Sequence, residues 1–231
     1  MELTLRELRL NTVSYEGIKV AFRGVVTVNH NASVYVEAPD AETGLSFGIP
    51  VYYGYSLSGG GLEILRPGNE VRIVGTLQYY EAGDVWQVSG ITYRMMKPDD
   101  PGNIRLISSG NPIPWTATDA GLIAGGTVTV TVEGEEEEYD YAALTQATSV
   151  TVGPLSVQGG YASPSGDLTL WCLSGGETVQ LRVSGALDAE GKPWTLEGLR
   201  GMTVSVRGIV SHYNGEYQID VFTRDGITPV Q

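Results

Sequence analysis

From Lys19 the chain alternates. Val20, Phe22, Gly24, Val26 and Val28 recur at every second position, with Ala21, Arg23, Val25 and Thr27 between them, which is the period of a half-buried strand. Asn29-His30-Asn31 turns the chain, and residues 33–38 (SVYVEA) form a second strand. A turn over 39–44 leads to a third apolar stretch at 45–55, which carries Phe47, Tyr52, Tyr53 and Tyr55. A flexible glycine-rich loop at 56–61 and a turn at Leu65-Arg66-Pro67-Gly68 feed a fourth strand, 71–80, with Val71, Ile73 and Leu77 on one face. Gly83-Asp84 then turns into a fifth strand over 85–93. Ahead of these five, Thr4-x-x-Glu7 is a capping box and Leu3 and Leu8 a hydrophobic staple. They predict a short helix over 5–10 that closes one end of a domain rather than forming a core.

Residues 96–114, with KPDDPG followed by SSGNPIP, read as a boundary between domains at 1–110 and 111–231. Beyond it, a helix over 119–124 follows Thr118, and 127–132 is a β-branched alternation that runs into the acidic segment 133–140. Strands follow at about 149–158, 168–172, 177–183, 203–211 and 216–222. The last pair repeats an earlier one. LRPGNEVRIVGTLQYYEAGDVWQV (65–88) aligns with LRGMTVSVRGIVSHYNGEYQI (199–219) at an offset of 133 from Val71/Val204 onward. Gly75 falls on Gly208 and Tyr80 on Tyr213. After small deletions in the turn, Trp86-Gln87-Val88 falls on Tyr217-Gln218-Ile219. A glycine in mid-strand marks a sharp bend or bulge, as a small closed barrel requires where a strand turns a corner.

Five strands, a long connection between the third and fourth, and a glycine-kinked strand match the OB-fold, a Greek-key barrel. The chain resembles the tandem OB-fold modules of secreted or lipid-anchored bacterial proteins, including those attached to extracellular nucleases, over residues 17–28, 33–38, 65–91 and 199–222. The expected fold is all-β: two OB-like five-stranded barrels in tandem, with short peripheral helices. The resemblance implies a non-catalytic accessory module of the nucleic-acid-binding lipoprotein type. It also implies an extracellular or cell-surface location, with a lipid anchor attached through a removed N-terminal signal. The acidic segment 133–140 has no place on that pattern.

Charge bears on the ligand. Residues 1–110 carry nine Lys and Arg against twelve Asp and Glu, a net −3, whereas 111–231 carry five against fifteen, a net −10. Phosphate contacts supply nearly all non-specific nucleic-acid affinity, so the second half should repel such a ligand. A single cysteine, Cys172, rules out an intrachain disulfide and a cysteine-based zinc cluster. No apolar run approaches the roughly 20 residues of a membrane span, and residues 1–6 lack the basic-then-apolar pattern of a signal. The 31 glycines show no three-residue period, which sets collagen aside.

On an OB-fold, ligands lie against the second and third strands and the loops after strands one and four. In the first half that face recruits Tyr35, Phe47, Tyr52, Tyr53, Tyr79 and Tyr80, with Arg23, Arg72 and Arg66 as cations. In the second half it recruits Trp171, His212 and Tyr213, with Arg182 and Arg207. The competing reading is that these rings pack the barrels. Three partners remain open: single-stranded nucleic acid stacked on the rings, an oligosaccharide whose hydroxyls need Asp, Asn and Gln rather than positive charge, or a protein.

No catalytic constellation, metal site or cofactor motif emerges. Residues 135–138 with Asp140 lack the spacing of a calcium loop and read as a solvated, mobile loop. Glu37, Asp40 and Glu42 flank a turn, where acids serve local hydrogen bonds. Cys172 sits in an apolar strand as a small hydrophobe. His30 and His212 fall in separate domains with no nucleophile positioned beside them. Gly59-Gly60-Gly61 lacks the Lys-Ser/Thr of a phosphate loop.

Overall fold

A computed structural model describes residues 1–54, 60–91, 103–132 and 134–230. Tyr55, the first part of the glycine-rich loop, the end of the fifth predicted strand at 92–93, the first part of the boundary (96–102) and Glu133 lie outside the described residues. The chain divides into two units, Met1–Ile113 and Pro114–Gln231.

Unit 1 contains α1 (Leu5–Leu10), β1 (Lys19–His30), β2 (Ser33–Pro39), β3 (Ser46–Tyr52), α2 (Gly60–Ile64), β4 (Glu70–Tyr80), β5 (Val85–Ser89) and β6 (Ile104–Ser108). The first three strands form an antiparallel meander. Asn31 and Ala32, at φ 47° and 65°, make the two-residue turn between β1 and β2, one step beyond the turn expected at 29–31. β3 meets β5 in parallel at Val51 and Val88, β5 pairs antiparallel with β4, and β4 returns to β1. The order β1-β2-β3-β5-β4 closed on itself is that of an OB-fold barrel.

Two expectations need correction in unit 1. The helix α1 does contribute to the core: Leu5 and Leu8 are buried and plug the barrel beside β3. Its capping box is intact, with the Glu7 amide donating to Thr4 Oγ1 at 3.1 Å and the Thr4 amide donating to Glu7 Oε2 at 2.7 Å. The boundary segment contains β6, which pairs Arg105 with Arg72 and Ile104 with Ile73 along the free edge of β4.

Unit 2 contains β7 (Thr116–Ala117), α3 (Ala120–Ile123), β8 (Thr127–Val132), β9 (Glu135–Asp140), α4 (Tyr141–Leu144), β10 (Ser149–Ala162), β11 (Leu168–Ser174), β12 (Glu177–Val183), α5 (Leu196–Leu199), β13 (Thr203–Tyr213), β14 (Glu216–Val221) and β15 (Ile227–Pro229). Its barrel runs β10-β11-β12-β14-β13 and closes from β13 to β10. β12 and β14 are parallel, as β3 and β5 are. β15 lies on β13 in the register that β6 takes on β4: Ile227 faces Val206 as Ile104 faces Ile73.

The two repeat glycines occupy matching places. Gly75 pairs with Val20 on β1, and Gly208 with Val150 on β10. A Cβ on Gly75 would lie 2.5 Å from Val88 Cγ1 and 2.6 Å from Ser89 O; one on Gly208 would lie 2.4 Å from Ile219 Cγ2 and 2.7 Å from Asp220 O. Each glycine lets the last strand of the barrel cross its neighbour without clearance for a side chain.

The acidic segment is a strand and not a mobile loop. β9 pairs along its whole length with β8, Thr129 opposite Glu138 and Val130 opposite Glu137. Gly134, at φ 90°, makes the turn. Successive glutamates point to opposite faces, which halves their crowding, and Thr127 donates a hydrogen bond to Glu138. The strand propensity of TVTVTV prevails. The helix after Thr118 is capped by Asp119 rather than Thr118, with Asp119 Oδ1 accepting from the Gly121 amide at 2.7 Å.

Candidate ligand-binding clefts

In unit 1 the outer face of β4 and β5, the end of β3 and the start of β2 enclose a cleft of about 750 Å³. It lies between the β1–β2 turn and the β4–β5 turn, where the OB-fold places its ligands. Tyr52 and Tyr80, 42% and 50% exposed, present their rings to it. Tyr53 forms a fixed wall: its hydroxyl donates to Asn29 Oδ1 at 2.7 Å, and burial raises its pKa. Gln78 and Gln87 face each other across β4 and β5, and Ser89 donates to Gln78 Oε1. The described lining is Ser33, the three tyrosines, Gly54, the two glutamines, Ser89, Gly90 and Ile91, with no charged side chain among them.

The equivalent cleft in unit 2 measures about 490 Å³ and lies between the β10–β11 and β13–β14 turns. Tyr213 stands where Tyr80 does and Gln218 where Gln87 does. A chain of polar contacts crosses its floor. Gln180 Nε2 donates to Gln218 Oε1 at 2.7 Å, and Gln218 Nε2 to Asp220 Oδ1 at 2.8 Å. Arg182 donates to Asp167 at 2.9 Å and to Thr169 Oγ1 at 3.1 Å. Burial pushes the Asp220 carboxyl up to about 7, against the pull of the Ser211 hydroxyl, Arg182 and the Gln218 amide. An adjoining hollow shares Gln180 and Glu216 and is walled by Trp171, 44% exposed, whose ring lies 6.3 Å from that of Tyr161.

The residues singled out in the sequence therefore disperse. Tyr52, Tyr53 and Tyr80 line the first cleft, Tyr213 the second, and Trp171 the hollow beside it. Tyr35 is half-buried on the outer face of β2, opposite Val28 and Pro50 and outside the lining. Phe47 is fully buried inside the barrel and cannot meet a ligand in this fold, because it shares the inward parity of Ile49 and Val51. Arg23 and Arg72 are not on the β2–β3 face. They stand opposite each other on β1 and β4. Arg72 holds the Glu2 carboxylate through Nε at 3.0 Å and an η-nitrogen at 2.6 Å, and this keeps the Glu2 carboxyl below its ordinary pKa. Arg207 is exposed on β13, opposite Thr151 and away from the cleft. Of the residues noted beside these, Arg66 pairs with Glu63 at 3.5 Å, and Tyr79 turns to Trp86 and bonds Asp84. His212 packs on Tyr217.

Gln78, Gln87, Gln180, Gln218 and Asp220 escape sequence reasoning as site residues, although the repeat aligns Gln87 with Gln218. Among the described residues no group of three or more His, Cys, Asp or Glu is placed to hold a metal ion. Cys172 is buried, and burial pushes its thiol up to about 12.

Fold and clefts define each unit as an OB-fold barrel with a ligand-sized cleft in the position characteristic of that class. No protein-family model matches the chain, and no curated protein matches it. Among solved structures, asparaginyl-tRNA synthetase from Pyrococcus horikoshii complexed with asparaginyl-adenylate is 21% identical, over 36% of this chain and 19% of its own, with a TM-score of 0.28. A murine DNA-binding protein bound with double-stranded DNA is 9% identical over 91% of this chain and 98% of its own, at 0.39. The wild-type single-stranded DNA-binding protein from Thermus aquaticus is 13% identical over 94% of each chain, at 0.28. The chain spans about a fifth of the synthetase's length. The barrel assignment rests on the strand order above rather than on these likenesses.

Proposed function

We propose that the chain is a non-catalytic binding module whose first unit takes single-stranded nucleic acid into the cleft between the β1–β2 and β4–β5 turns. The observation that carries this reading is the pair of exposed rings, Tyr52 and Tyr80, beside the Gln78 and Gln87 amides. Bases stack on such rings for about 1–3 kcal/mol each, and amides can reach their edges. The groups on offer are ring faces, amides and hydroxyls, which hold a ligand rather than transform one. Because no charged group among the described residues lines the cleft, the affinity assigned to it is that of stacking rather than of phosphate contact.

Fluorescence anisotropy with a labelled single strand of roughly a dozen nucleotides tests this. Tyr52→Ala and Tyr80→Ala should each weaken binding by about 5- to 100-fold, while Tyr213→Ala in unit 2 should leave it unchanged. Absence of binding by the unaltered protein at about 50 mM salt refutes the reading.

A specific feature of unit 2 favours a second ligand there. Asp167 bonds a single arginine, Arg182, which faces Asp220 across the strands, and Glu216 lines the same cleft with the Tyr161 and Tyr213 rings. That set repels phosphate and suits the hydroxyls and C–H faces of an oligosaccharide, so a glycan array answered by Tyr213→Ala and not by Tyr80→Ala would locate sugar binding in unit 2. The extracellular or cell-surface setting, with a lipid anchor, is supported by the sequence resemblance alone. Protease accessibility on intact cells tests it.

A further inference from the structure

The outer face of β4 runs from Arg72 through Val74, Thr76 and Gln78 to Tyr80, while Val71, Ile73, Gly75 and Leu77 point inward. At about 3.3 Å per residue it covers roughly 26 Å. One end is the cleft. At the other, three arginines stand in a row across three strands: Arg23 on β1 faces Arg72 on β4, which faces Arg105 on β6. Lys19 on β1 faces Thr76, midway along the track. Directly opposed like charges destabilise a sheet by a few tenths of a kcal/mol to about 1 kcal/mol per pair, so an uncompensated row is a cost to the fold. The compensation is partial. Glu2 accepts from Arg72 with both carboxylate oxygens and comes within 4.0 Å of Arg23, and Glu70 at the end of the track accepts from Ser108. Arg105 and Lys19 are exposed and form no ion pair among the described residues. In a chain of net charge −13, this face is locally positive.

We propose that the outer face of β4 is the track of a sugar–phosphate backbone, with Arg23, Arg72, Arg105 and Lys19 holding phosphates, and that the Glu2 carboxylate sits on the row where a phosphate would lie. This rests on the reading of unit 1 as a single-strand binder. The fork that Arg72 presents to Glu2 is the geometry by which guanidinium groups take either a carboxylate or a phosphate. The cleft and the row thus divide the ligand between them, bases at one end and phosphates towards the other, and a strand too short to leave the cleft gains nothing from the row.

The test uses the full chain and two labelled strands of roughly a dozen units, one with ordinary bases and one an abasic phosphodiester that cannot stack. The abasic strand should bind at low salt. The Arg23→Gln, Arg105→Gln double variant, which alters two exposed side chains, should lower its affinity at least tenfold. The slope of log affinity against log salt should become shallower by about 1.4, at roughly 0.7 for each single-strand phosphate that is no longer neutralised. Glu2→Gln, which frees the row, should raise affinity about fivefold, the value of one unit charge removed at 4 Å in water. An abasic strand that fails to bind at low salt, or that binds the double variant as well as the unaltered protein, overturns the proposal. Failure of the parent reading looks different: the base-bearing strand becomes indifferent to Tyr80→Ala while abasic binding still answers to the arginines.

Discussion

Replacing Gly75 or Gly208 with alanine tests the barrel closure in each unit directly. Ordinary van der Waals contact for a methyl carbon begins near 3.4 Å, yet the new Cβ would meet Val88 and the Ser89 carbonyl at 2.5 and 2.6 Å, or Ile219 and the Asp220 carbonyl at 2.4 and 2.7 Å. A valine or isoleucine rotamer can give way. A strand carbonyl moves only with its ladder, so the strands must part by several tenths of an ångström where β4 meets β5, or β13 meets β14. Overpacking of this kind costs about 1–3 kcal/mol. Alanine's smaller unfolded-state entropy returns about 0.4–1 kcal/mol, leaving a net loss of roughly 1–2 kcal/mol. For a unit of this size that lowers the melting temperature by about 4–8 °C. Gly159→Ala is the control, because its Cβ has nothing within 4 Å, and it should be neutral or slightly stabilising. Differential scanning calorimetry of the full chain reads all three. If Gly75→Ala and Gly208→Ala melt with Gly159→Ala, these glycines are not where the barrels close.

Two further outcomes follow from the packing and the charges. Leu8→Ala should destabilise unit 1 by about 2–5 kcal/mol in urea unfolding, because α1 is part of the core; a loss under about 0.5 kcal/mol would return the helix to the role of a surface cap. The Asp220 carboxyl has a folded-state pKa of about 7 against an ordinary 3.8, so the folded unit binds its proton more tightly than the unfolded chain does. Its contribution is therefore complete below about pH 3.8 and lost as pH rises towards 7. Asp220→Asn should remove that loss, melting above the unaltered protein at pH 8 and close to it at pH 4, and identical pH profiles would refute the burial argument.

Much of the frame is legible because a barrel strand writes its two faces into the sequence with period two, and because the hairpin with its crowded glycine occurs twice. The same rule, applied residue by residue, removes Phe47 from the candidate site: it shares parity with Ile49 and Val51, not with Ser46 or Tyr52. β6 is illegible for a different reason. Five residues, IRLIS, amid proline, glycine and asparagine become a strand only because β4 offers them a free edge. The acidic strand misleads because glutamate repulsion is visible locally whereas its pairing with β8 is not. Residue type alone assigns Arg23 and Arg72 to a ligand face, but that they meet each other on β1 and β4, and Arg105 on β6, depends on register, which no local pattern reveals. Gln87 and Gln218 lie in the repeat as aligned polar positions among apolar ones, a signal that periodicity alone treats as the solvent side of a strand.

Register also separates the two halves. In unit 1 the pair joining β4 to β6 is Arg72 opposite Arg105; in unit 2 the same position, between β13 and β15, holds Ser205 opposite Thr228. The flanking pairs are apolar in both, Ile73 with Ile104 and Val206 with Ile227. The inward pairs are apolar in both units, whereas the outward pair is two cations in unit 1 and two hydroxyls in unit 2. Over the same comparison the described cleft lining goes from uncharged side chains to a set with Asp220, Glu216 and a single paired arginine. Screening confines a surface charge to about 8 Å at physiological ionic strength, so the net −13 does not decide what either cleft can hold. The charges within one or two side chains of it do. By that measure the first unit is the one for which a polyanion is proposed, and the second presents a hydrogen-bonding floor instead.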